Sequence, residues 1–105
     1  MSGDHDFATS GLARALAGLG RETEAEEVYE RMVERASRRY VPATFLAATA
    51  DAAGRRDEAI AQARRAWDDR EPPFILLARR MSAFRSLRED PRFQDILRAM
   101  NTGPP

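Results

Sequence analysis

The sequence predicts an all-α fold built from helical hairpins, and three observations predict it. Residues 25–36 place Ala25, Val28, Tyr29, Met32, Val33 and Ala36 at the i, i+3, i+4, i+7, i+8, i+11 spacing of one helical stripe. The stretches "GLGRETEAEE" (18–27) and "AAGRRDEAIA" (52–61) match at Gly20/Gly54, Arg21/Arg55, Glu24/Glu58 and Ala25/Ala59, each pair offset by 34 residues, so a structural repeat is expected. Alternating apolar and polar residues of strand length occur nowhere.

The elements follow in order. The first helix is expected from about Asp6, with Leu12, Ala15, Leu16 and Leu19 on one face, ending at Gly20 because glycine tolerates the left-handed conformation of a helix C-terminus. The second is the 25–36 stripe; its outer face carries the acid-before-base pairs Glu27–Arg31 and Glu34–Arg38, each worth roughly 0.2–0.5 kcal/mol. The third is expected to hold Pro42 in its first turn, Leu46, Ala47, Ala50 and Ala53 along its stripe, and Gly54 at its end. Arg55, Arg56 and Asp57 in the following turn are read as solvated. The fourth aligns Ala59, Ala63, Ala66 and Trp67 and is stopped by Pro72 and Pro73. A short apolar helix in "FILLARRM", one turn in "SAFRSL" and a final amphipathic helix complete the chain. That last helix has Asp90 as N-cap, Pro91 at its first position, and Phe93, Ile96, Leu97 and Met100 on its apolar face. Residues 1–5 and 101–105 are expected to be tails.

Composition narrows the function. With 43% apolar residues among 105, one small domain can bury a core, and 17 basic against 17 acidic residues leave no net field to draw nucleic acid or a membrane surface. Arg pairs at 38–39, 55–56, 64–65 and 79–80 lie among acids and make no continuous basic stripe, so no nucleic-acid partner is expected. The absence of Cys removes disulfides and thiolate chemistry, and the N-terminal residues lack a signal's basic start and apolar core. No apolar run is long enough to span a bilayer, so a cytoplasmic protein is expected. His5 is the only histidine, which leaves no His-paired nucleophile or His-based metal site. Glu26, Glu30 and Glu34 share a helix face, but neutralisation by nearby Arg is expected over cation binding. Gly18 and Gly20 lack the preceding strand and following Lys of a phosphate loop. No catalytic residue, metal or cofactor is therefore expected, and the protein is not read as an enzyme.

The period, the two helices per period and the small residues at the crossings resemble the tetratricopeptide repeat (TPR) family. In that register one repeat spans 6–39 and another 40–73, with Leu12/Leu46, Ala13/Ala47 and Tyr29 on family positions, while Ser37 and Glu71 stand where the family prefers Pro. The tail containing "LREDPRF" is similar to the ending of many bacterial TPR proteins, and all-Arg basicity resembles the codon bias of a GC-rich bacterial genome. The chain is therefore read as the C-terminal part of a bacterial TPR protein, with 74–100 as a degenerate third repeat and capping helix. The resemblance implies hairpins stacked in a short right-handed superhelix, its last apolar face sealed by Trp67, Phe74, Phe84, Leu87, Phe93 and Leu97.

It also implies function: a non-catalytic protein-interaction module binding a peptide or partner helix on the concave surface. Carried over position by position, the partner-binding residues are Phe7, Ser10, Arg14, Val41, Thr44, Phe45, Ala48 and Asp51, flanked by Gly11, Ala17, Gly18 and Ala52. The family's clamp for chaperone "EEVD" tails needs Lys and Asn where Ser10, Arg14, Thr44 and Ala48 stand, so no binding of such tails is expected. Nothing resembling a cap precedes the first repeat, which leaves one side of its first helix in need of cover. Two explanations follow: a homodimer through that side, making the domain an assembly unit of a larger bacterial regulatory protein, or a longer parent chain.

Overall fold

The structure, a computed structural model, describes residues 2–80 and 82–102. Six α-helices and one 3-10 helix follow one another: α1 Ser2–Gly18, α2 Glu22–Ala36, α3 Ala43–Ala52, α4 Arg56–Asp68, α5 Pro72–Arg80, the 3-10 helix Ser82–Leu87, and α6 Pro91–Thr102. Among the described residues there is no strand. The chain is all-α.

The interhelical turns repeat as the sequence repeats. Gly20 and Gly54 both sit at φ 78°, in the left-handed region. After each, the next amide reaches back across the helix end, Arg21 N to Leu16 O at 2.9 Å and Arg55 N to Ala50 O at 2.8 Å, satisfying a terminal carbonyl. A third turn closes in the same way without glycine. Arg70 holds φ 54° while Glu71 N bonds Ala66 O at 3.0 Å. Its guanidinium donates to Trp67 O at 2.6 Å and stacks 3.8 Å from the Trp67 ring, interactions that offset the left-handed strain. The left-handed Arg70 is what ends α4; Pro72 and Pro73 open α5 rather than stopping the helix before it.

Other boundaries shift for identifiable reasons. α1 runs back to Ser2, so residues 2–5 are helical rather than tail and the helix starts ahead of Asp6, which faces inward to Arg35 and Arg39 at 2.9 and 3.0 Å. Pro42, with ψ 136°, is the N-cap of α3, which starts at Ala43. Asp90 caps α6 as expected, accepting from Arg92 N at 2.9 Å. Residues 101–102 are helical, and the tail expected beyond them lies outside the described residues.

α3 is the centre of the molecule. It packs against α1, α2, α4 and the 3-10 helix, and every residue from Ala43 to Ala50 is buried. Pro42 has no side chain to cap it, and Glu71 takes that role across the fold. Its carboxylate accepts from Ala43 N (3.0 Å), Thr44 N (2.9 Å), the Thr44 hydroxyl (2.6 Å) and the Tyr40 hydroxyl (3.0 Å). Burial pushes this carboxyl up, but the donors from Thr44, Ala43 and Tyr40 outweigh it and hold Glu71 below the ordinary glutamate value.

The C-terminal segment seals the far side. Phe74, Phe84, Leu87 and Phe93 are fully buried, with Trp67 and Leu97 packed partly against them. The three phenylalanine rings meet at centroid distances of 5.6–6.5 Å. Each such side chain contributes roughly 1.5–3 kcal/mol when fully buried. At the opposite end Leu12 of α1 is 52% exposed and Leu19, in the turn after it, 72% exposed, with Ala8 and Ala15 of α1 exposed as well.

Candidate partner-binding site

The residues expected on the concave surface separate into two groups. Ser10, Val41, Thr44, Phe45 and Ala48 are buried. This corrects their assignment as an open binding surface. The cause is the central position of α3, whose Ala- and Thr-rich faces let α1, α2, α4 and the 3-10 helix approach on all sides. Thr44 is engaged with Glu71, and the Ser10 hydroxyl donates to Phe7 O at 2.8 Å. Phe45 and Val41 pack with Met32 and Leu46.

Phe7, Arg14 and Asp51 keep access to solvent. The Phe7 ring lies 6.0 Å from that of Phe45, so the buried ring supports the exposed one. Asp51 lies at the other end of α3, in a cleft of about 490 Å³. Ala17, Asp51 and Ala52, all in the groove expected from sequence, line it. So do Glu22, Glu26, Ala53, Gly54, Arg55, Arg56 and Ser86, which come from helix ends, the Gly54 turn and the 3-10 helix.

Charges in the cleft are partly committed. Arg55 lies 3.4 Å from Glu26, 3.7 Å from Glu30 and 3.2 Å from Glu58, and its guanidinium sits 5.9 Å from the Tyr29 ring centroid. The Tyr29 hydroxyl donates to Glu58, and burial, then that hydrogen bond and then the carboxylate's charge raise the phenol well above its ordinary value. Arg55 therefore ties α2 to α4 and is not the solvated turn residue expected. Arg56 and Asp57 are exposed as expected, and Asp57 also takes an ion pair from Arg92 at 3.0 Å. Glu26 and Glu30 share the single charge of Arg55 with Glu58, and Glu34 pairs with Arg38 at 3.0 Å. Among the described residues no group of three or more His, Asp or Glu is placed to hold a metal ion.

Asp51 and Glu22 also line the cleft, and Asp51 is the more recessed of the two. Burial lifts its carboxyl above the usual aspartate value, opposed by the hydroxyl bond from Ser86 and the charge of Arg56. Arg56 itself donates to Ser86 O at 3.5 Å. The arrangement offers a recessed carboxylate, a flanking guanidinium and alanine walls, a chemistry suited to hydrogen-bonding a polar chain segment. Sequence reasoning missed Glu22, Glu26, Arg55, Arg56 and Ser86; the repeated Gly-Arg turn was a signal for Arg55 and Arg56, and the fold brings the others to them.

Comparison with protein-family models, curated proteins and solved structures gives no match. Among the described residues, no helix is long and apolar enough to cross a membrane.

Proposed function

We propose that the chain is a short stack of TPR-like helical hairpins, acting in the bacterial cytoplasm as a non-catalytic interaction module for a peptide or partner helix. The contact lies at the lower end of the groove expected from sequence, where the Asp51 cleft opens, and not along the length of α3. The observation that carries this reading is the cleft of about 490 Å³ where Ala17, Asp51 and Ala52 meet the Gly54 turn. Its recessed carboxylate accepts from Ser86 and keeps further acceptor capacity, which favours a segment bringing an N–H donor or a basic side chain.

A random peptide library displayed on phage and selected on the intact chain tests it. The expected outcome is enrichment of Arg- or Lys-bearing peptides whose affinity falls at least about tenfold, some 1.4 kcal/mol, in both Asp51→Asn and Ala52→Trp, the latter filling the cleft. Selected peptides indifferent to both substitutions would contradict the assignment.

A further inference from the structure

We infer that Ser86 sets which cation the cleft accepts: by holding one oxygen of Asp51 it closes the two-point seat that an arginine fork needs and leaves a one-point seat for a lysine ammonium. The inference rests on the cleft reading above and names the partner chemistry within it.

The hold is built from both sides of Ser86. Its hydroxyl donates to Asp51 Oδ1, and its carbonyl accepts from Arg56 at 3.5 Å. Asp51 lies on α3 and Arg56 opens α4, so the 3-10 helix is fastened to both across the cleft that all three residues line. Packing keeps it there. Phe84 and Leu87 are fully buried and anchor the 3-10 helix in the core, while Ser86 stands exposed between them. At Phe84 the backbone leaves helical geometry (φ −125°, ψ 31°), which bends the segment at its buried anchor. Ser86 is thus a fixed part of the cleft wall.

Carboxylate chemistry then separates the two cations. A guanidinium binds a carboxylate best as a planar fork, with two parallel N–H bonds to its two oxygens. With Oδ1 taken by Ser86, that fork has one free oxygen to meet. Turning Ser86 away would restore the second oxygen at the loss of a charge-assisted hydrogen bond. An ammonium is a compact charge with three donors and needs no paired oxygens. It meets Asp51 through the free oxygen, and its other donors remain for Glu22, Glu26 or water in the same cleft.

Net charge does not make this distinction. Glu22, Glu26 and Asp51 line the cleft against Arg55 and Arg56, and Arg55 is also drawn to Glu30 and Glu58. That balance attracts a cation of either kind. The difference comes from the one oxygen that Ser86 occupies.

Two pentapeptides, N-acetyl-Ala-Ala-Lys-Ala-Ala amide and its arginine counterpart, test this when titrated into the full chain at neutral pH with NMR observation. The wild type is expected to bind the lysine peptide at least about threefold tighter than the arginine one. Ser86→Ala should reverse the order. The arginine peptide gains about tenfold and the lysine peptide changes by less than about twofold, because only the fork uses the freed oxygen. Ser86→Thr keeps the hydroxyl and should keep the wild-type order. Ser86 is exposed, so neither substitution removes core packing, and circular dichroism checks that the helices remain. A lysine-to-arginine ratio that is the same in wild type and Ser86→Ala, or a wild type that prefers the arginine peptide, overturns the inference. The cleft reading survives that result as long as Asp51→Asn weakens both peptides. Binding that is indifferent to Asp51→Asn, or absent from every chain, overturns the two together.

Discussion

At the C-terminal end of the molecule Phe74, Phe84 and Phe93 close the last apolar face. At the N-terminal end Leu12 and Leu19 stand in solvent, although the residues 34 positions on, Leu46 and Ala53, are buried. Leu12 and Leu19 precede the Gly20 turn as Leu46 and Ala53 precede the matching Gly54 turn, so the turn itself does not set the difference. Leu46 is covered by Met32 of α2 and by Val41, and Ala53 by the core around α4. A hairpin's inner contacts are supplied by its own pattern, whereas its outer contacts depend on a neighbour, which is why end units of stacked helices decide stability and association.

Breaking the sealed end should cost most. Phe93→Ala removes a fully buried ring from the three-phenylalanine cluster and is expected to lower unfolding free energy by about 3–5 kcal/mol in denaturant titration. Next is the cap that holds α3. Glu71→Ala strands the amides of Ala43 and Thr44 and the Thr44 hydroxyl, an expected loss of about 2–3 kcal/mol.

The same carboxylate makes stability depend on pH. Its folded value lies below the ordinary glutamate value, so its contribution is fully present above that ordinary value and is lost as pH falls through the folded one. Glu71→Gln should therefore flatten the acid side of the stability profile, measured by thermal unfolding between neutral and acid pH.

A smaller effect belongs to the shared turns. Gly54→Ala meets no steric obstacle, since a Cβ there finds nothing within 4 Å, and pays only for the positive φ. About 1 kcal/mol is expected, with the same value for Gly20→Ala if the two turns are equivalent. Leu19→Ala, at the open end, should change monomer stability by less than about 0.5 kcal/mol.

Much of this was legible because it is local. The stripes, the glycine turns and the Asp90–Pro91 start of α6 follow from spacing within a few turns, and the aromatic seal follows from the tail's resemblance to a capping segment. The unread features join distant residues. Glu71 looked like a departure from an expected proline, and its role emerges only when the fold brings it to Thr44, 27 residues away. Arg55 reads as a turn residue until α2 supplies Glu26 and Glu30. The burial of α3 had a visible signal that went unused: "ATFLAATA" runs from 43 to 50 without a charge, and a helix uncharged on every side belongs in a core. Assigning its exposed face from repeat register therefore placed Thr44, Phe45 and Ala48 in a groove that the packing closes.

The contrast between the ends is tested most directly by thiol labelling of single cysteines introduced into the cysteine-free chain at repeat-equivalent places, Leu12 and Leu19 against Leu46 and Ala53. In protein dilute enough to be monomeric, Cys at 12 and 19 should react at nearly the rate of an unfolded peptide, while Cys at 46 and 53, where the native residues are 5% and 9% exposed, should be slower by orders of magnitude. Equal protection at the four positions would mean that α1 is covered within the chain itself, and would contradict the account.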